Sequence, residues 1–216
     1  MEDTGRPSAS SSADEAPELV VLLDDAGRPC GTAPKATVHD AETPRHLAFS
    51  LHLRRADGRI LLTRRALVKR TWPGVWTNAV CGHPGPDEPI EHAINRRAER
   101  ELHLRSEDIA APTLLAPGFR YRARDASGIV ENEICPVYVA DYLGEPDALP
   151  SPAADEVMET AWADWEDVVA VARRMPFLLS PWLVLHPEEP EIDGALRGGG
   201  DLQQERGSSS RAEGSA

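Results

Sequence analysis

Alternation of apolar and polar positions divides most of this chain into short strands. ELVVLLDDAGRP (18–29) reads as a strand and a turn, and RHLAFSLHLRRADGRILLTRRA (45–66) as a hairpin whose β-rich arms meet at Asp57-Gly58, a favoured turn pair. TNAVCGH (77–83) supplies a third strand. FRYRARDASGIVENEICPVYVADY (119–142) reads as a second hairpin turning at Ala126-Ser127-Gly128. Helical periodicity takes over from about Asp87 to Leu102, with proline and acidic residues at its start as the helix dipole favours. DEVMETAWADWEDVVAVARRM (155–175) predicts a strand and then a helix, and SPWLVLH (180–186) a short last helix. Strands joined by hairpins, with a few helices and no regular βαβ units, predict an α+β fold, a mixed α/β sandwich.

The same patterns contain two anomalies. On a helical wheel Ile90, Ala93, Ile94 and Ala98 form an apolar stripe, yet Arg97 and Glu101 fall inside it, within about 20° of Ile90's direction. Charges seldom face a core unless paired or employed. One reading is an i,i+4 ion pair covering the end of the stripe; the other is a carboxylate offered to a metal beside a guanidinium that meets an anion. In the strands, side-chain alternation places Cys81 and His83 on one face, and Glu131 and Glu133 on one face. His39 and His46 lie just upstream. Three imidazoles and two carboxylates would fill the shell of one divalent cation that accepts mixed N and O donors, such as Mn²⁺, Mg²⁺ or Zn²⁺. His52, His92 and His103 are read as ordinary surface or hydrogen-bonded residues.

Composition narrows the picture. Residues 1–17 and 188–216 are poor in apolar side chains and rich in Gly, Ser, Glu and Asp, which predicts disordered tails around one domain at 18–187. A formal net charge of −13 argues against a nucleic-acid binder. The longest aliphatic run, LVVLL at 19–23, is too short for a membrane span, and the N-terminus has no secretory pattern, so a cytoplasmic protein is expected. Cys30, Cys81 and Cys135 form no CxxC pair and are read as free thiols.

GHPGPDE together with NRRAEREL resembles a degenerate Nudix box, whose spacing Gly82, Glu88, Arg96 and Glu101 match. Arg97, Arg100 and His103 stand where that signature has Glu, Glu and Gly, so two carboxylates expected of a Nudix hydrolase are missing. The box and its surroundings resemble the type 1 isopentenyl-diphosphate Δ-isomerase family. HLAFSLHL, TRRALVKRTWPGVWTNAVCGHP, FRYRARDASGIVENEICPVY, DEVMETAWADW and SPW occur in family order across residues 18–187.

The resemblance implies a Nudix-like fold with mixed sheets flanked by helices, and interconversion of isopentenyl and dimethylallyl diphosphate in isoprenoid biosynthesis. It implies that Cys81 and Glu133 flank the substrate, with Tyr121 near the glutamate and Trp182 near the developing carbocation. The family's metal site maps onto His39, His46, His83, Glu131 and Glu133. Glu101 matches the carboxylate that helps a diphosphate-bound Mg²⁺, and Lys35, Arg65, Lys69 and Arg97 match basic residues facing the diphosphate. The expected partner is a small allylic or homoallylic diphosphate, held in a locally positive pocket of a monomer or weak dimer. Trp72 and Trp76 are read as core packing. Two alternatives stand beside this one: a Nudix hydrolase of a nucleoside diphosphate derivative, and a metal-dependent binding module, against which the presence of Cys81 and Glu133 argues.

Overall fold

The computed structural model describes residues 17–145 and 147–198. A five-stranded sheet has the order β2 (Pro29–Pro34), β1 (Leu19–Leu23), β3 (His46–Leu47), β10 (Val130–Ile134) and β9 (Arg120–Arg124). The second sheet runs β12 (Val157–Ala163), β5 (Ile60–Arg65), β4 (Phe49–Arg54), β11 (Val137–Asp141) and β8 (Thr113–Ala116), with β6 (Trp76–Asn78) on β5 and β7 (Val80–Gly82) on β4.

Two chain segments change sheets side by side. After β3 the chain passes Ala48 into β4, and after β10 it passes Cys135-Pro136 into β11; β3 pairs in parallel with β10 and β4 with β11. Backbone hydrogen bonds from Ala48 to Ile134 (2.9 Å) and Ser50 to Pro136 (3.0 Å) carry the ladder across the junction. His46 therefore opens a strand of its own, opposite Glu133, rather than an arm of the first hairpin.

That hairpin forms only at its tip. Arg54 pairs with Ile60 around Asp57-Gly58, after which β4 and β5 take other partners. The strand expected at 77–83 fills the gap and breaks at Ala79: Asn78 lies opposite Leu62 of β5, and Cys81 opposite Ser50 of β4. The second hairpin turns at 126–128 as expected, with Tyr121 opposite Glu133.

Every residue of β4 is buried, because both faces of its sheet are covered. Phe49, Leu51, Leu53, Leu61 and Tyr138 pack on Ala93, Ile94, Ala98 and Leu102 of the helix α2 (Ile90–Leu102), which follows the short α1 (Lys35–Val38). Ile60, Leu62, Val137 and Val139 pack with α3 (Trp165–Arg174), α4 (Pro181–Leu185) and α5 (Pro190–Arg197). Helix α2 starts at Ile90 rather than Asp87, since Asp87 has φ 60° and Pro89 caps the helix in an extended conformation.

Helix α5 corrects the expected domain end at 187. Ile192 and Leu196, one turn apart, are buried in the core, and these two apolar side chains anchor a helix inside a stretch whose average composition is polar. The rest of the expected tails, 1–16 and 199–216, lies outside the described residues. All three cysteines are free, and among the described residues no helix is long and apolar enough to cross a membrane.

Candidate active site

A cavity of about 510 Å³ opens where the two sheets meet, and every site residue expected from the sequence, apart from His46 behind its wall, lines it. His39 follows α1, His46 lies in β3, His83 follows β7 and Glu133 lies in β10. Their ligand atoms fall within 4.8 Å of one another. Nε2 of His83 lies 3.0 Å and Nε2 of His46 3.3 Å from the same Glu133 oxygen, and these two nitrogens are 3.2 Å apart. Nδ1 of His46 faces the Pro44 carbonyl at 2.9 Å, which fixes the ring with Nε2 inward.

Electrostatics leaves His39, His83 and Glu133 in ligand form. Burial, then the neighbouring His83 and His46, pushes His39 down to about 3. Burial also lowers His83. For His46 burial acts downward, but the hydrogen bond to Glu133 prevails and raises it. Glu133 would be raised by burial, yet hydrogen bonds from His46 and His83 hold its carboxyl well below the usual range. Three nitrogens and a carboxylate oxygen converging this closely are a donor set that fits a divalent transition metal ion.

Glu131 stands one step outside this group. Its carboxylate accepts hydrogen bonds from Thr71 Oγ1 at 2.7 Å and Tyr121 OH at 2.7 Å. The same phenol reaches Glu133 at 2.8 Å. Burial, then the charge of Glu133, raises Glu131.

Across the cavity the Cys81 thiol donates to Asn78 Oδ1 at 3.3 Å and lies 3.4 Å from Ser50 Oγ. Burial pushes this thiol up to about 12. Trp182, in α4, donates its indole N–H to the same Asn78 oxygen at 3.0 Å, and its ring is 5.5 Å from that of Tyr121. Trp72 and Trp76 pack against the core cluster. Ser50, Thr71 and Asn78 were not singled out from sequence; an asparagine inside a strand-like segment, WTNAV, was the one available signal.

At the mouth each expected base already has a partner. Lys35 pairs with Glu18 at 2.9 Å, Lys69 with Glu156, and Arg97 with Glu101 and, at 3.4 Å, Glu156. Arg65 donates to the Thr71 and Trp72 carbonyls, and its guanidinium lies 5.5 Å from the Trp182 ring. Arg97 and Glu101 form the i,i+4 ion pair of the first reading, and both face the cavity. The expectation of a locally positive pocket is corrected. Five basic side chains (Lys35, Arg65, Lys69, Arg70, Arg97) meet six carboxyl groups (Glu18, Glu101, Glu131, Glu133, Asp155, Glu156) in its lining.

The degenerate box builds the mouth. Arg96 grips Glu88 with two hydrogen bonds of 2.8 Å, and Glu88 accepts from Gly85 N–H, which ties the turn after His83 to α2. Gly82 lets the helix approach: a Cβ there would lie 2.8 Å from Arg97 Cγ and 3.2 Å from the Phe49 ring. Arg100 points outward and pairs with Asp155, while His103 takes the left-handed conformation, φ 53°, at the helix C-cap. Of the box residues on α2, Glu101 is the acidic one that reaches the cavity.

The chain matches the NUDIX domain family over residues 44–183. The isopentenyl-diphosphate Delta-isomerase of Agromyces mediolanus is 56% identical over 79% of this chain and 80% of its own. The protein of the same name from Kocuria rhizophila is 52% identical over 86% of this chain and 99% of its own. A crystal structure of a Deinococcus radiodurans protein shares the fold, with a TM-score of 0.54 at 18% identity, over 73% of this chain and 90% of that one.

Proposed function

The chain belongs to the isopentenyl-diphosphate Delta-isomerase family, within the Nudix fold, and from that premise we propose that it interconverts isopentenyl and dimethylallyl diphosphate by a 1,3-proton shift. The observation that carries this reading is the sharing of one cavity by the Cys81 thiol and the histidine-bound Glu133 carboxylate, with Tyr121 and Trp182 between the sheets beside them. Hydrolysis of a nucleoside diphosphate derivative fits less well, because Arg97 and Arg100 replace two carboxylates of the hydrolase signature.

An alkene is a weak base, so its protonation needs an acid held in place and help for the tertiary carbocation that results. Cys81 and Glu133 are the donor and acceptor. In one direction a proton leaves the thiol for one end of the allylic unit and another passes from the far end to Glu133; the reverse direction exchanges the roles. Each turnover shifts one proton between the two groups, and exchange with solvent or a reverse turnover resets them. Tyr121 orients Glu133, with Glu131 behind it. The π face of Trp182 stabilises positive charge by about 0.5–2 kcal/mol in a site that excludes water.

His39, His46, His83 and Glu133 would hold one divalent ion, Mn²⁺, Mg²⁺ or Zn²⁺, with Glu131 adjacent, and Glu101 would help hold a diphosphate-bound Mg²⁺. Bound cations acidify neighbouring groups and supply the positive charge that a lining of five bases and six carboxyls lacks. Lys35, Arg65, Lys69 and Arg97 grip the non-reacting diphosphate, and that binding energy holds the short hydrocarbon in register.

Incubation of the purified protein with labelled isopentenyl diphosphate and Mg²⁺, before and after chelation, tests the assignment. Dimethylallyl diphosphate should form and its formation should stop on chelation. Release of phosphate without that product would establish a hydrolase instead.

A further inference from the structure

We propose that Asn78 is a positioning residue that holds the Cys81 thiol and the Trp182 indole in fixed register, an inference that rests on the isomerase reading of this cavity. The Asn78 side chain is wholly buried. Its amide oxygen accepts three hydrogen bonds: from Trp182 Nε1 at 3.0 Å, Thr77 Oγ1 at 3.1 Å and Cys81 Sγ at 3.3 Å. Its amide nitrogen donates to the Leu51 and Val80 carbonyls at 3.0 and 3.1 Å.

These partners admit one orientation. Flipping the amide would set N–H groups against the indole N–H and oxygen against two carbonyls. The backbones of β4 and β7 therefore fix the nitrogen, and the nitrogen fixes the oxygen that two side chains of the site share. An aspartate would lose both donors, and a leucine would leave the indole N–H without an acceptor. With the thiol proton committed to Asn78, the Cys81 sulfur is left as an acceptor toward the Ser50 hydroxyl, 3.4 Å away, which also lies 3.5 Å from the Cys135 sulfur. The same strand places the helix that carries the indole: Ser180 N–H donates to the Trp76 carbonyl at 2.8 Å, and Ser180 Oγ lies 2.9 Å from Thr77 Oγ1.

The test combines kinetics with a spectroscopic signature. Asn78→Ala should lower kcat by about 10- to 100-fold while KM for isopentenyl diphosphate changes less than about threefold, because the residues that grip the diphosphate lie elsewhere. Unchanged kcat in the folded variant would overturn the proposal. If that variant does not fold, Cys81→Ala supplies the second arm. Removing one donor from the shared oxygen should move the Trp182 indole proton downfield in a ¹H–¹⁵N spectrum, the signal being identified by its loss in Trp182→Phe. An unmoved or upfield signal would overturn the register whatever the substrate is. A wild-type protein inactive on isopentenyl diphosphate would remove the isomerase reading while leaving the indole shift as a separate result.

Discussion

The Tyr121 phenol has one proton and two carboxyl neighbours, at 2.7 and 2.8 Å, so both contacts are hydrogen bonds only when Glu131 or Glu133 carries a proton. Burial and the charge of Glu133 raise Glu131, whereas hydrogen bonds from two histidines lower Glu133, so of the two Glu131 takes up a proton more readily. Tyr121→Phe should leave two carboxyl groups with no shared donor and lower kcat by about 10- to 100-fold, checked by steady-state assay. Cys81→Ala should lower turnover by about 100-fold or more with an unchanged near-ultraviolet circular dichroism spectrum; near-normal activity would remove the thiol from the mechanism. Glu133→Gln should lose activity and bound metal together, measured by metal analysis of the same preparation. Strand alternation was enough to read Cys81 with His83, and Glu131 with Glu133, as facing pairs. It could not separate the two glutamates, because the contact that draws Glu131 away comes from Thr71, in a loop sixty positions earlier whose path no local pattern gives. Glu18 and Glu156, which neutralise the bases at the mouth, were equally hidden, since ion pairing across the chain has no periodicity to read.

Among the elements, the splayed β4 and β5 arms with 76–82 between them bring Cys81 and His83 to the cavity. Turn chemistry at Asp57-Gly58 marked the tip of that hairpin in the sequence, but hairpin logic pairs neighbours in the chain and cannot foresee a later strand entering between them. Gly82 is the point of closest approach between this wedge and α2. Gly82→Ala would have to displace Arg97 and the Phe49 ring and should cost about 1–3 kcal/mol in urea unfolding, with a raised KM for the diphosphate. Helix α5 escaped notice because an acidic, glycine-containing window hid two apolar residues. Ile192→Ala should destabilise the protein by about 2–5 kcal/mol, since that side chain is fully buried against the core.

For the molecule as a whole, sensitivity to acid follows from a buried histidine pair. His52 Nε2 lies 3.0 Å from His186 Nδ1, both rings wholly buried beside Trp165 and Phe119. Burial pushes His52 down to about 3 and lowers His186. The unfolded chain takes up a proton on His52 below its ordinary 6.5, while the folded chain does not until near 3, so stability is full above 6.5 and declines as pH falls through that window. Between pH 7 and pH 5 the wild type should lose about 2 kcal/mol more than His52→Gln in urea unfolding. The central claim is a proton shift carried by two separate groups across one cavity, and isomerisation of isopentenyl diphosphate in D₂O followed by proton NMR tests it most directly. Deuterium should enter the new methyl group of dimethylallyl diphosphate with no release of phosphate. A product free of deuterium, or inorganic phosphate in its place, would contradict the account.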